Sequence, residues 1–221
     1  MTTGLKRKHV LAASGSNPGA AYQAKIIADG ATNYWPLNEI SGTVARDIIG
    51  GKNATISAGV TLNQPGIAGG VSMKFDATTD NVITPTLTIP STYTIELWLN
   101  PLGSISRRPF SFRPQVAYIL DRQANGTLQI YDGSFHAGTT VLTAGVWHHV
   151  VIMVTVPTMT IYTDGILDYS FATTITGMAG PLKLSNDPPD STAFFDGFIQ
   201  NVAIYTLNLS PAQIAAHYAL R

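Results

Sequence analysis

The sequence predicts an all-β domain, built as a sandwich of two antiparallel sheets. Apolar residues alternate along residues 93–99, which is the period-2 pattern of a strand, and Pro101 ends the run. Asp164-Gly165 separates two strand-like runs and suits a two-residue hairpin turn, because both turn residues adopt positive φ. Further runs rich in Val, Ile and Tyr recur between glycines and prolines, at residues 116–121, 127–131 and 146–155.

One short helix is predicted near each end of this domain. Residues 21–29 place Tyr22, Ile26 and Ile27 on one helical face, and Gly30 follows as a natural stop. Near the C-terminus, the segment Ser210-Pro211 supplies an N-cap hydroxyl and a proline for the first turn of a helix.

The N-terminal segment is predicted to be an extended arm over residues 1–20, followed by one domain over residues 21–221. It combines Gly, Ser, Asn and Pro with the basic cluster Lys6-Arg7-Lys8 and the pair Val10-Leu11. The apolar run is shorter than the roughly 7–15 residues of a secretory signal, so we expect no signal peptide. We expect the cluster to face acidic groups of a partner and the apolar pair to fill a small groove there.

Composition limits the classes of partner. Only 12% of the 221 residues are charged, against about 25% in an ordinary globular protein. Uncharged polar residues must therefore cover the surface, as suits extracellular or virion proteins. The formal net charge of +0 provides no long-range field toward nucleic acid or a membrane, and no run approaches the roughly 18 apolar residues of a membrane span. Cysteine is absent, so the core or assembly must stabilise the fold.

Four segments in order along the chain resemble the laminin-G-like, concanavalin-A-like jelly-roll family. That family shows a Trp-x-Leu-x-Glu strand, a Thr-x-Glu-x-Trp strand, a Trp-His-His-Val start and an Asp-Gly-x-Ile-x-x-Val-x-Ile-Tyr strand. The resemblance implies a concanavalin-A-like jelly roll, a fold that hosts lectins, hydrolases, adhesins and coat proteins. The matching segments are residues 34–39, 93–99, 146–151 and 196–205.

Catalysis is not expected. Glycoside hydrolysis needs two carboxyl groups about 5–10 Å apart. The chain has only two glutamates, Glu39 and Glu96, and the Glu-x-Asp-x-x-Glu pattern of the family's glucanases is absent. Glu96 occupies a position where the family has a structural glutamate, so we expect it to be buried and hydrogen-bonded. His148 and His149 are adjacent strand residues that point to opposite faces and cannot chelate one ion together. We expect one ring to pack in a sheet face and the other to face outward.

The resemblance also implies a structural calcium ion between the first loop and the last strand. The matching positions are Asp47 and Asp196, and the backbone of Gly50 with the amide of Asn53 would complete the oxygen shell. The alternative is a turn stabilised by Asp and Asn side chains without an ion. The sequence leaves both interpretations open.

A second contact surface is predicted in residues 107–113, which interleave three arginines with two phenylalanines. This chemistry is enriched at interface hot spots. A protein partner is favoured over nucleic acid because the rest of the chain lacks a basic stripe. Alternatively, the phenylalanines complete the edge of the core. The residues concerned are Arg107, Arg108, Phe110, Phe112 and Arg113.

These observations predict a non-enzymatic structural or interaction protein of a virus particle. We expect a phage capsid decoration, head-fibre or tail component, located in the virion, tethered to other virion proteins by its arm and assembled as a homo-oligomer. The alternative is a carbohydrate-binding module or host-surface adhesin that stacks a surface glycan on exposed aromatic residues. The aromatic candidates by type are Tyr118, Tyr131, Phe135 and Tyr169.

Overall fold

The structure is a computed structural model that describes residues 18–103, 107–112, 118–185 and 194–221. The predictions for several arm and contact residues therefore lie outside the described residues and stay predictions: Lys6, Arg7, Lys8, Val10, Leu11 and Arg113.

Short strands joined by turns make up most of the described chain, with helices α1 (Pro18–Ala28) and α2 (Pro211–Ala219) and a 3-10 turn (Ile67–Gly69). The strands in chain order are β1 (Asn33–Trp35), β2 (Val44–Ala45), β3 (Ala54–Ile56), β4 (Thr61–Pro65), β5 (Val71–Asp76), β6 (Val82–Ile89), β7 (Thr92–Pro101), β8 (Arg107–Phe112), β9 (Tyr118–Arg122), β10 (Thr127–Tyr131), β11 (Phe135–Val141), β12 (His148–Thr155), β13 (Thr158–Thr163), β14 (Ile166–Ala172), β15 (Met178–Leu184) and β16 (Asp196–Tyr205).

Two facing sheets confirm the predicted sandwich. Sheet A has the order β14-β13-β12-β7-β16-β5-β4, with β1 also paired to β16, and sheet B has the order β11-β10-β9-β8-β15-β6-β3-β2. The pairing is antiparallel throughout these strands, and β7 lies between β12 and β16 in sheet A. The Asp164-Gly165 turn joins β13 to β14 with φ of 53° and 80°, as the hairpin prediction requires.

The main core fills the space between the sheets. Alternate residues of β7 enter it, so Ile95 and Leu97 are fully buried. Burial of such side chains contributes roughly 1.5–3 kcal/mol each. The buried residues of this core include Trp35, Leu37, Ile95, Leu97, Val150, Ile152, Val202 and Ile204.

A second apolar layer covers the outer face of sheet A. Trp98 of β7 and Val151 of β12 point away from the main core and pack with Tyr22 of α1 and Ile214 of α2. The helices therefore bury the face of β7 that would otherwise meet water. This second layer is why the residues that alternate with the core positions are buried too.

Helix α1 stops before Gly30 as predicted but begins earlier, and helix α2 begins after Ser210 as predicted. Helix α1 starts at Pro18 because proline suits the first helical position, so three residues assigned to the arm are helical. Gly30, with φ of 89°, donates its N–H to the carbonyl of Ile27 and ends the helix. Ser210 caps α2 in a reciprocal pair of bonds with Gln213.

We expect truncation of the buried β7 side chain in Leu97→Ala to lower the free energy of unfolding by about 2–5 kcal/mol, because it leaves a cavity between the sheets. Ile166→Ala is the matched control. Its side chain is 72% exposed at the β13–β14 turn, so a change within about 0.5 kcal/mol is expected. Urea unfolding measures both, and equal losses in the two variants would contradict the placement of the core.

Candidate functional site

A buried carboxylate that accepts several hydrogen bonds lies between sheet A and the two helices. Glu96 of β7 is fully buried. Its Oε1 accepts from the Tyr22 hydroxyl at 2.6 Å and from His149 Nε2 at 2.7 Å, and its Oε2 accepts from the Tyr205 hydroxyl at 2.9 Å. The prediction of a buried, hydrogen-bonded glutamate is confirmed.

His217 of α2 completes this Glu96 network. Its Nδ1 donates to both oxygens of Glu96 at 3.0 Å, and its Nε2 donates to Asp29 Oδ2 at 2.7 Å. Carboxylates accept at both ring nitrogens, so both nitrogens must carry a proton and His217 is an imidazolium. Lys25 Nζ, 2.6 Å from Asp29 Oδ2, adds a second positive charge.

The network shifts the ionisation of its members in opposite directions. Burial alone would raise the pKa of Glu96, but hydrogen bonds from His149 and His217 and their charge hold it far below the usual range. Burial alone would lower the pKa of His217, but Glu96 and Asp29 raise it. Burial, with the nearby charge of Glu96, raises the pKa of Tyr22. Glu96 is therefore a fixed anion without access to solvent, unsuited to proton transfer with a substrate.

The two adjacent histidines point to opposite faces, as predicted, but neither faces solvent. His149 stacks on Trp98 with ring centroids 4.8 Å apart and belongs to the Glu96 network. His148 Nδ1 bonds Asp164 Oδ2 at 2.8 Å and is also buried. The expectation that one ring faces outward was wrong because the helices cover that face of the sheet.

The predicted calcium set is not brought together. Asp47 receives backbone and side-chain donors on both of its oxygens, and these hydrogen bonds lower its pKa although burial raises it. Asn53 Oδ1 in turn accepts from the Asp47 backbone N–H at 3.0 Å. This geometry favours the turn interpretation. The donors to Asp47 are the backbone amides of Tyr34, Ile49, Gly50 and Lys52 and the side chain of Asn33.

Asp196 lies at the far end of β16 from this turn. Tyr34, which donates to Asp47, pairs with Ala203, whereas Asp196 pairs with Asp76 at the start of the strand. Seven residues of strand separate the two positions, roughly 20 Å. One ion cannot bridge them, so the predicted ligand set of Asp47, Gly50, Asn53 and Asp196 is corrected to a hydrogen-bonded turn plus a remote aspartate.

Elsewhere in the described residues, no group of three or more His, Asp or Glu side chains is placed to hold a metal ion. Whether the chain binds a structural calcium ion stays a prediction, which the melting temperature with and without chelator would test.

The arginine- and phenylalanine-rich segment is strand β8 rather than a loop. Phe110 and Phe112 are 1% and 2% exposed in the main core, so the prediction that they contact a partner was wrong for both. Period-2 alternation points them inward and leaves Arg107 and Arg108 half-buried. A partner contact through the arginines stays a prediction.

A pair of aromatic residues, one exposed and one half-buried, lies on the edge of sheet B. Phe135 of β11 is 67% exposed and sits opposite Tyr131 of β10, with ring centroids 4.8 Å apart. We name this pair the aromatic platform. Tyr169 instead packs against the main core, and the side chain of Tyr118 lies outside the described residues.

Hydrogen bonds fix the β10–β11 turn that carries the platform. Asp132 Oδ1 bonds His136 Nε2 at 3.0 Å, and Asp132 Oδ2 accepts from the Thr173 hydroxyl at 2.7 Å. The His136 ring stacks on Phe171 with centroids 3.8 Å apart. Gln129 is half-buried two residues before Tyr131 on the same face, and its side-chain amide makes no hydrogen bond with another described residue.

Two facing antiparallel sheets, with helices over only one outer face, define a lectin-type jelly-roll sandwich. Residues 76–215 match the sequence model of the Concanavalin A-like lectin/glucanases superfamily, and the chain belongs to that superfamily. No curated protein sequence shows significant similarity to the chain. No helix in the described part of the chain has the length and apolarity needed to cross a bilayer.

Several solved structures are similar in fold. The binding domain of Paraclostridial Mosquitocidal Protein 1 has a TM-score of 0.67 and 13% identity over 86% of this chain and 52% of its own. The serotype D botulinum neurotoxin binding domain has a TM-score of 0.68 and 15% identity, over 88% of this chain and 52% of its own. Domain 4 of AbnA, an extracellular arabinanase from Geobacillus stearothermophilus, has a TM-score of 0.64 and 17% identity, over 86% of this chain and 98% of its own. The chain thus spans about half the length of the two toxin domains.

The Glu96 network predicts a two-sided pH dependence of stability. The lowered pKa values of Glu96 and Asp29 contribute stability that is lost as the pH falls below their ordinary values, near 4. The raised pKa of His217 contributes stability that is present below pH 6.5 and is lost as the pH rises through the raised value.

Urea unfolding across this pH range measures the effect. His217→Ala should cost about 3–5 kcal/mol near pH 6, because it leaves a buried carboxylate short of donors, and should remove the alkaline loss. Lys25→Ala, which breaks only a part-exposed pair, should cost no more than about 1 kcal/mol. A flat profile in the wild-type chain would contradict the assignment of an imidazolium.

Proposed function

We propose that this chain is a non-catalytic carbohydrate-binding domain that takes its glycan on the aromatic platform. The observation that carries the proposal is the exposure of Phe135 beside Tyr131 on a turn held by Asp132. Aromatic faces stack on the C–H face of a sugar ring, and such platforms need polar groups beside them to fix orientation. The side-chain amide of Gln129, which bonds no other described residue, is such a group.

Rigidity supports this assignment. The bonds from Asp132 to His136 and Thr173 join the β10–β11 turn to the segment after β14. A ring that is already immobile loses little conformational entropy when a ligand stacks on it. An exposed phenylalanine on a mobile turn would lack this advantage.

The similar structures support the same class of function. Domain 4 of the arabinanase was solved in complex with arabinotriose, and the two toxin structures are named as binding domains. Trypanosoma rangeli sialidase is also similar, but the chain spans only 32% of that enzyme. We propose a binding role and no hydrolysis, since Glu96 is sequestered and the other glutamate, Glu39, bonds the Arg46 backbone.

Glycan-array binding by the full chain tests the proposal. Phe135→Ala should weaken binding at least about tenfold, because it removes the stacking surface, with an unchanged melting temperature. Val141→Ala is the matched control, since Val141 is 54% exposed on the same edge strand but away from the platform. Full binding by Phe135→Ala, or no glycan bound by the wild-type chain, would reject the proposal.

We propose, second, that the domain serves on a virus particle, as a phage capsid decoration, head-fibre or tail component. The supporting observations are the 12% charged composition and the basic, Gly- and Ser-rich segment that precedes α1. In this proposal Lys6, Arg7 and Lys8 meet acidic groups of virion proteins, Val10 and Leu11 fill a groove, and copies of the chain associate.

A pair of deletions tests the arm. Removing residues 2–17 should leave the melting temperature unchanged, because helix α1 and its Tyr22–Glu96 bond remain. Removing residues 2–28 should lower it sharply, since Glu96 loses a donor. The shorter deletion should still abolish oligomerisation or incorporation into particles. Assembly equal to that of the full chain would contradict this second proposal.

A further inference from the structure

The last strand of the chain carries a bulge in the centre of sheet A. Gln200 pairs with Trp98, but Ala203 pairs with Glu96, so β16 advances three residues while β7 advances two. Within the bulge, Asn201 adopts a φ of 56°, a left-handed conformation that asparagine tolerates better than most residues. Bulges and positive φ values re-aim side chains and are common at ligand sites.

The bulge directs two amide groups into one cavity. Asn201 Oδ1 accepts from the Tyr34 hydroxyl at 2.6 Å, and Gln200 Oε1 accepts from the Ile67 backbone N–H at 2.8 Å. With both side-chain oxygens occupied, Asn201 Nδ2 and Gln200 Nε2 have no acceptor among the described residues. The two residues are only 4% and 3% exposed, yet both line the cavity.

The cavity, here named the bulge cleft, has a volume of about 240 Å³. Helix α1 forms one wall with Gln23, and the chain before β5 forms another with Gly70. Glycines pack closely around Gln200, since a Cβ at Gly70 would lie 2.9 Å from Gln200 Nε2 and one at Gly66 would push the Gln200 amide out of its present position. Close backbone packing therefore holds the donor amide in place.

The chemistry of the lining selects the class of ligand. Its side chains are amides, a tyrosine ring and small apolar groups such as Pro36 and Val71, and among the described residues no carboxylate, Lys or Arg lines it. A cation would find no carboxylate among the described lining residues, and an anion would lose its hydration without gaining a Lys or Arg partner there. An uncharged ligand rich in acceptor oxygens would satisfy both free amides. The volume suits one small ring rather than a chain.

We propose that the bulge cleft binds one uncharged sugar unit, whose hydroxyl oxygens accept from Asn201 Nδ2 and Gln200 Nε2. The cleft lies by β16 and α1, whereas the aromatic platform lies on sheet B, so this inference goes beyond the proposed function and does not rest on it. Two sites on different sheets would allow one domain to engage two branches of a glycan or two glycans at once.

Ligand-observed and amide-detected NMR on the full chain test the proposal. The probes are neutral monosaccharides, namely glucose, galactose, mannose, arabinose and N-acetylglucosamine, with sialic acid as the charged comparator and calcium alone as the ion comparator. At least one neutral sugar should shift the side-chain amide signals of Gln200 and Asn201 with saturation in the millimolar range, and the two comparators should not.

Two variants and two controls locate the binding. Asn201→Asp keeps the oxygen that bonds Tyr34 and tolerates the positive φ but replaces the donor by a carboxylate, and Gln23→Trp fills the cleft from α1. Each should weaken binding at least about tenfold. Ala24→Trp, at an exposed α1 position that does not line the cleft, and Val141→Ala should bind as the wild-type chain does. Phe135→Ala should keep the sugar-induced shifts of the Gln200 and Asn201 amide signals even though it loses binding at the platform.

Several outcomes would overturn the proposal. Loss of sugar binding in Phe135→Ala with retention in Gln23→Trp would assign all binding to the aromatic platform. Absence of shifts with every neutral sugar would leave the cleft without its proposed ligand. Shifts produced by calcium alone would show that the cleft binds a cation instead. The platform proposal would be rejected, and this one supported, if sugar binds at the cleft and Phe135→Ala binds glycans as tightly as the wild-type chain.

Discussion

Burial of one carboxylate determines how the outer layer of this fold is built. Isolated in a protein interior, the charge of Glu96 would cost several kcal/mol or more. Four side chains from different parts of the chain offset that cost: Tyr22 of α1, His149 of β12, Tyr205 of β16 and His217 of α2. The two strands that flank β7 and both terminal helices are therefore fixed relative to one buried anion.

The two terminal helices depend on contacts with sheet A and with the Glu96 network for their stability. They have 11 and 9 residues, lengths at which an isolated helix is marginal in water. Apolar contacts from Tyr22 and Ile214 bury one face of each, and the His217–Asp29 bond joins α2 to the end of α1. The described helices cover the outer face of sheet A, and the exposed Phe135 lies on sheet B.

The sequence predicts what local patterns control. Alternation along β7, the Asp164-Gly165 turn and the Ser210 cap each depend on near neighbours, and the structure confirms them. The Glu96 network depends on residues as far apart as 121 positions, so no spacing reveals His217 as a partner. The prediction that Phe110 and Phe112 contact a partner failed for a different reason. Their spacing of two residues already indicated a strand with an inward face.

The Glu96 network also sets the geometry of the bulge cleft. The Tyr22 hydroxyl donates to Glu96, and the neighbouring Gln23 lines the cleft. Ala203 pairs with Glu96 and lies at the end of the bulge that contains Asn201. A ligand at a concentration equal to its dissociation constant adds only about 0.4 kcal/mol to stability. Breaking a buried ion pair costs about 3–5 kcal/mol. A weakly bound sugar therefore cannot hold α1 in place by itself, and the cleft must be preformed by the buried anion before any ligand arrives.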